Sequence, residues 1–520
     1  MNLDPKRQTG QTSICSMLPG VSAQTSIILG FLFLTACQGT PEFRAPSDML
    51  TTTTPPPNVS DQELVHRDAP LSKRIRIQPD TEAKPPTMVG NSDNLEPWLS
   101  TIHVDFALAR RLVEKELQVD LSNIDLKLVD NTPINAEVAL ETKRLVKEQF
   151  GHSDFADQFL QQVMAPLAGT YAALYSSRLS AVMISRSMLA SYERSVIQEQ
   201  PASSKRAALL TLLIHELVHA ADDLRYRIHD NRALNFRASF AQSATFEGHA
   251  QWATRRICEK AGCSDGLRAL DNFMFSTDTH STQLTQPVEA ISRSVLEYSY
   301  VEGERFVARL ATRENGKQLI DDLLSSPPLD PIQILAPDTY PDIAREHRNQ
   351  RLIQTSRNVD HPLTGAPWIG VETSPLKGVD LRSDPTRRQA AIDGFTQLIQ
   401  GMISMQFYDQ QSPGAMPIET TILKAESAHT ARLFATMLHS NTQQADAWVE
   451  DEPLLIRPDT SSTNQGVKLH IYRTAIDADT SYRTSIAVSG EHVVQVSGNT
   501  ANQAFLDDFA IGVLIDLSQS

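Results

Sequence analysis

The 520-residue sequence has no glycine-rich phosphate loop of the Walker type and no dinucleotide-binding glycine fingerprint, so it lacks the two commonest nucleotide cradles. It is also short of basic residues. Lys and Arg number 47 against 62 Asp and Glu, a net charge of −15, which argues against nucleic acid as a partner. The apolar run from Ile27 to Leu34 is too short to span a bilayer comfortably. Cysteine is scarce, four residues in all, so a metal site built of thiols is not expected. Apolar residues, at 41%, are ample for a packed core, and the length suggests about three domains.

What the chain does have is Leu209 to Tyr226, LLTLLIHELVHAADDLRY, which contains His215-Glu216-Leu217-Val218-His219. On a helix, residues four apart share a face, so both imidazoles can reach one metal ion. Glu216 stands beside that ion without coordinating it, placed to take a proton from water. Leu209, Leu210, Leu212, Leu213, Ile214, Leu217 and Val218 make the helix apolar nearly all round, as expected of a buried one. Two imidazoles and a carboxylate in such surroundings are costly unless they coordinate or pair. The bland alternative is a pair of satisfied core histidines.

A catalytic zinc typically takes three protein ligands and leaves a fourth position open. Asp222 and Arg225 stand where the metzincin pattern has Gly and His, which removes that class. Asp223 is on the same helix, and three ligands spread over three turns cannot converge on one ion. The third ligand must come from elsewhere. The leading candidate is Glu247, in Ala244-Thr-Phe-Glu-Gly-His-Ala-Gln-Trp252, 28 residues after His219; His249 and His229 are rivals.

HExxH followed by Glu on the next long helix resembles the gluzincins, the thermolysin-like zinc metallopeptidases. The detail HELVHAADD with EGHA is similar to bacterial gluzincin-like proteins carrying HELxHAxxD and EGxA. The likeness extends to Tyr300-Val-Glu-Gly-Glu-Arg-Phe306 and to Pro327 through Tyr340, and covers about Trp98 to Tyr340. It implies one zinc ion held by His215, His219 and Glu247, with Glu216 as general base. It also implies an oxyanion donor, for which Tyr300 and His249 are candidates. Where thermolysin has Asp four residues past the ligand Glu, this chain has Gln251; Asp223 is the carboxylate expected to orient a histidine instead.

Residues 1–37 read as a targeting segment, with Met17 an alternative start. Leu34-Thr-Ala-Cys37 resembles a bacterial lipobox, with lipid attached to Cys37; Gln38 in the next position, by the same resemblance, favours the outer membrane. The chain is therefore expected to be an exported lipoprotein, facing the periplasm or cell surface and held to the membrane by its lipid. An ordinary signal peptide is the plainer reading. Residues 38–96, rich in Pro, Thr and Ser, read as a disordered tether. Cys15 leaves with the signal and Cys37 is lipidated, so Cys258 and Cys263 are left to form a disulfide in an oxidising compartment.

Within residues 97–340, periodicity predicts helices at Val104–Leu117, Asn135–Phe150, Asp154–Met164 and Val295–Leu310. It predicts strands at Ile124–Val129, Ala168–Tyr175 and Leu179–Ser185. By the gluzincin resemblance, the last two strands sit where an edge strand binds extended peptide. Residues 341–520 read as a smaller C-terminal α+β domain. It has a connection to about Asp384, a helix Arg387–Phe407, strands at Glu419–Lys424, Val467–Tyr472, Thr484–Val488 and His492–Val496, a helix around Ala428–Asn441 and another from Ala501. The expected fold class is α+β: a mainly helical zincin-like domain with a small β-sheet, plus this second domain.

The expected function is zinc-dependent hydrolysis of peptide bonds in a peptide or protein substrate, on a membrane-anchored chain. Two alternatives are a non-catalytic surface lipoprotein with a vestigial site, whose C-terminal domain binds a partner, and a zinc amidase acting on a cell-wall crosslink.

Overall fold

The computed structural model describes residues 101–519 except 152–155, 158–159, 161–170, 188, 190–201, 229–234, 276–295, 366, 374–395, 412–416, 443–453, 457–466, 476–481 and 500–502. The targeting segment, the tether, His229 and most of the helix expected at Asp154–Met164 lie outside the described residues. The fold is α+β, mainly helical, with a three-stranded and a seven-stranded sheet.

Helix α1 (Ile102–Leu117) buries Ile102, Phe106, Ala109 and Val113, spaced four, three and four apart, so one apolar stripe closes it onto the core. Strand β1 (Asp125–Val129) follows, its Leu126 and Leu128 facing inward, then α2 (Asn131–Phe150). A hairpin of β2 (Ala173–Ser176) and β3 (Ala181–Ser185) completes the small sheet in the order β1-β3-β2. β1 runs parallel to β3, and β2 pairs antiparallel with it, so β1 and β2 are the two outer strands.

The centre of the molecule is α3 (Ala202–Tyr226), packed against α1, β2, α4 (Phe236–Ala261) and α5 (Ser264–Phe275). Residues 208–222 of α3 are buried without a break, as its all-round apolar sequence requires. Burial of each Leu or Ile there is worth roughly 1.5–3 kcal/mol. Residues 208–222 of α3 meet no water, so a polar group there is costly unless it finds a partner in the protein. α4 starts at Asn235, whose side chain accepts from the Ala238 N–H, and ends at Gly262 in the left-handed region, φ 76°. Cys258 and Cys263 form a disulfide across that end.

The helix expected over Val295–Leu310 is present but changes character. Glu297–Glu302 is a π-helical turn, and α6 (Gly303–Ala311) continues it. α7 (Gly316–Ser325) and the short α8 (Ile332–Leu335) follow, packing Ile320, Leu323, Ile334 and Leu335 with Phe306 and Tyr340.

The connection expected after Tyr340 contains a sixteen-residue helix, α9 (Ile343–Asn358). Strands β4 (Trp368–Thr373), β5 (Ile399–Asp409), β6 (Ile418–Ala425), β7 (Leu454–Ile456), β8 (Val467–Ala475), β9 (Tyr482–Ser489) and β10 (His492–Asn499) form the large sheet in the order β4-β5-β6-β10-β9-β8-β7. All its described pairings are antiparallel. Ile399–Phe407, expected as the end of a helix, is strand: β5 is hydrogen-bonded on both sides, to β4 and β6. α9 and α11 (Gln503–Gln519) share one core cluster with the sheet, and α10 (Ala428–Thr442) contributes to another.

The large sheet is joined to the helical part by buried groups. The Phe150 ring meets Tyr408 at 5.3 Å and Phe236 at 6.1 Å. Arg237, at the start of α4, faces Glu372 of β4 at 3.5 Å. Asp330 accepts from Arg345 and Asn349, and Arg345 donates on to the Ile399 carbonyl. Among the described residues no helix is long and apolar enough to cross a membrane.

Candidate metal centre

α3 presents His215 and His219 one turn apart, and α4 lays Glu247 against both. The two Nε2 atoms are 3.1 Å apart; Glu247 Oε2 is 3.2 Å from that of His215 and 3.3 Å from that of His219. All three residues are at most 4% exposed. Donors about 2.1 Å from one tetrahedral ion lie about 3.4 Å from one another, so this spacing suits a single small divalent cation. It is the one such group of metal-ligand side chains among the described residues. A buried His215/His219/Glu247 set able to hold a metal ion is therefore part of the structure.

The electrostatics are those of a proton standing in for a cation. Burial works against charge on His219, but the Glu247 carboxylate, with Glu216 and Asp222 adding to it, outweighs burial and takes the imidazole up to about 9. Burial likewise opposes charge on Glu247, and the two histidines overcome it, holding the carboxyl well below its usual range. The metal-free cluster is thus an ion pair. Because the His219 value is raised, the pair's contribution to stability is complete below about pH 6.5 and is lost as pH rises through about 9. A divalent ion must displace that proton. Uptake at neutral pH is expected to release about one proton per chain, and affinity to strengthen about tenfold per pH unit until about pH 9. Calorimetry in buffers of different ionisation enthalpy checks this; an uptake heat independent of buffer would contradict it.

Glu216, next to His215, points off the metal face. Its Oε2 accepts from the Tyr175 backbone N–H of β2 at 2.8 Å. The residue is buried, and desolvation raises its pKa above the usual carboxylate value, against the lowering effect of the histidines. Tyr175 is held a second time, its hydroxyl donating to Asp223 Oδ2 at 3.2 Å. Glu216 and Asp223 are seven residues apart, two turns along one side of α3. Tyr175 therefore lies along the helix and fixes β2 to it at both ends. Asp223, expected to orient a histidine, does not: the Nδ1 atoms of His215 and His219 have no hydrogen-bond partner among the described residues.

Tyr300 comes to the site from the π-helical turn, its ring stacked on that of His215 at 5.8 Å and 24°. What lets it approach is a crossing of α4 and α6 without side chains. A Cβ on Gly248 would lie 2.1 Å from the Gly303 carbonyl carbon, and one on Gly303 would lie 2.1 Å from the Ala244 carbonyl oxygen. The two sequence fragments thus meet: Gly248 follows the ligand Glu247, Gly303 follows Tyr300 by three, and Phe306 is fully buried against Tyr340.

His249 does not join the cluster. Two residues past Glu247 it faces another side of α4, where its Nδ1 pairs with Asp222 Oδ2 at 2.7 Å. It lines a separate pocket of about 370 Å³ with Trp252, Arg225 and Tyr226, and none of the metal-facing residues reaches that pocket. Gln251 donates through Nε2 to Asp271 Oδ1 of α5 at 2.9 Å. Tyr175, Asp222 and Asp271 were not singled out from sequence. Only Tyr175 had a signal, as part of a strand expected beside the HExxH helix. No protein-family model, curated protein or solved structure matches the chain.

Proposed function

We propose that the chain is a zinc-dependent peptidase of gluzincin type. The observation that carries this reading is the buried His215/His219/Glu247 triangle with a fourth, non-coordinating carboxylate, Glu216, at its side. That fourth carboxylate also anchors β2 through the Tyr175 N–H, and it is the group type that takes a proton from metal-bound water. Two imidazoles and one carboxylate favour zinc among divalent ions. Zinc bound there would supply a Lewis acid and lower the pKa of water toward neutrality.

The residues of the chain do the rest. Glu216, with its raised pKa, takes a proton from the attacking water and delivers it to the departing amine nitrogen. The Tyr175 N–H holds the Glu216 carboxylate in place while it is charged. Tyr300, stacked on His215, supplies the phenol for the charge that grows on the substrate carbonyl oxygen. The proposal includes export, with lipid on Cys37 anchoring the chain at the outer membrane.

The test is turnover of a mixed peptide library, read by mass spectrometry, with isolated cell-wall material run beside it. Peptide cleavage that a chelator abolishes and zinc restores is the expected result. Cleavage of cell-wall amides alone would move the assignment to an amidase. No hydrolysis of either by a zinc-loaded chain would contradict it.

A further inference from the structure

A histidine that binds a metal through Nε2 carries its proton on Nδ1, and that N–H needs an acceptor to hold the ring in place. The Nδ1 of His215 is buried and has none among the described residues. Beside the same cluster is the converse. Gln251, 2% exposed and one turn past Glu247 on α4, has a buried Oε1 with no donor. A buried donor or acceptor left unmade is costly. Here both are buried on facing helices, α3 and α4.

Asp271 decides which end of the amide is offered. It takes the Gln251 NH2 group at 2.9 Å, so the carbonyl oxygen is the end left to face inward. Asp271 is held in turn: Arg255 stands 3.8 Å from it and donates to both oxygens of Glu304. α5 brings Asp271 close because Gly266 crosses α3 with no room for a Cβ, which would sit 2.1 Å from the Ala207 carbonyl oxygen. Asp271 lies near enough to His215 for positive charge on that ring to act on its carboxyl.

Resting on the metal centre described above, but not on hydrolysis, we propose that Gln251, oriented by Asp271, accepts the Nδ1 proton of His215 when His215 holds a metal ion. A neutral acceptor suits this place. Glu247 and Glu216 already lie at the cluster, and a third carboxylate in direct contact would add repulsion; the amide keeps the Asp271 charge one hydrogen bond away. Gln251 and Asp271 are then positioning residues of the centre.

The experiment measures zinc affinity by chelator competition for the wild type, Gln251→Leu, Gln251→Glu and Asp271→Asn, with the melting temperature of each metal-free protein alongside. Loss of such a partner typically costs 10–100-fold in affinity. Gln251→Leu is expected to fall by that much, and Asp271→Asn by less. Gln251→Glu, which keeps an acceptor but sets a carboxylate against Asp271, is expected to lie between Gln251→Leu and wild type. A nitrogen-15 spectrum of the zinc-loaded wild type is expected to show a slowly exchanging His215 Nδ1–H that Gln251→Leu lacks. If Gln251→Leu and Asp271→Asn lower only the metal-free melting temperature and leave zinc affinity unchanged, the assignment is overturned while the centre stands. If the wild type takes up no zinc, both are overturned.

Discussion

Glu216→Gln is expected to bind one zinc ion per chain with wild-type affinity, to keep its melting temperature, and to lose turnover by roughly 10²–10⁴-fold, the range a positioned proton-transfer group supplies. The side chain is no ligand, so the triangle of His215, His219 and Glu247 is untouched. The amide carbonyl can still accept from the Tyr175 N–H, so β2 stays fixed to the helix. Burial penalises the charged carboxylate more than it does the neutral amide. Glu216→Ala is the informative contrast: it leaves the Tyr175 N–H without its acceptor and should cost a further 1–3 kcal/mol of stability. Steady-state kinetics on a cleaved library peptide, with metal analysis of the same samples, checks the pair. Full turnover in Glu216→Gln would remove the general-base role.

Gly248→Ala is expected to destabilise the protein by about 3 kcal/mol or more and to weaken metal binding with it. The added methyl would sit 2.1 Å from a backbone carbon of Gly303, and backbone on both sides cannot swing aside as a flexible side chain does. The crossing must open. On one side of it stands the ligand Glu247, and on the other the turn that carries Tyr300, so both shift together. Gly303→Ala should behave alike, since its methyl meets the Ala244 carbonyl oxygen at 2.1 Å. Gly262→Ala is the control: it strains the left-handed end of α4 but meets no atom within 4 Å, and should cost about 1 kcal/mol. Denaturant unfolding of the metal-free proteins and zinc titration of the folded ones check this. An unchanged unfolding midpoint in Gly248→Ala would contradict the packing described.

Much of the metal centre was legible because its logic is local. The spacing of His215 and His219 on an all-apolar helix needs no tertiary information, and Glu247 follows from asking which later helix offers a carboxylate. The disulfide followed from counting thiols. Partners set by how helices dock were not legible. Asp222 and Asp223 are neighbours, yet one residue turns the side chain by about 100°. Asp222 therefore meets His249 and Asp223 meets Tyr175, and neither hydrogen-bonds the Nδ1 of a ligand histidine. His249 was a reasonable candidate by residue type, and its place two residues past Glu247 put it on the wrong face. Asp271 mattered only once α5 had packed on α3.

The misread segments have physical reasons too. Ile399 to Tyr408 is largely buried, with Ser404 to Phe407 paired on both edges, so its apolar run carries no clean period-two signal and reads equally as buried helix. Helix α9 hid for the opposite reason. It buries Arg345, Asn349 and Ser356 beside Leu352 and Ile353, so its inner face is half polar and shows little apolar stripe. The motif residues Gly248 and Gly303 were visible as letters, but only the crossing shows why no side chain is allowed there.

The measurement that bears most directly on the metal centre is elemental analysis of the purified chain, wild type beside Glu247→Ala, after refilling with zinc and removal of excess. About one zinc per wild-type chain, lost in the variant while the fold is kept, is the expected result. A folded wild type that holds no metal, or a Glu247→Ala that holds it as well as wild type does, would contradict the site.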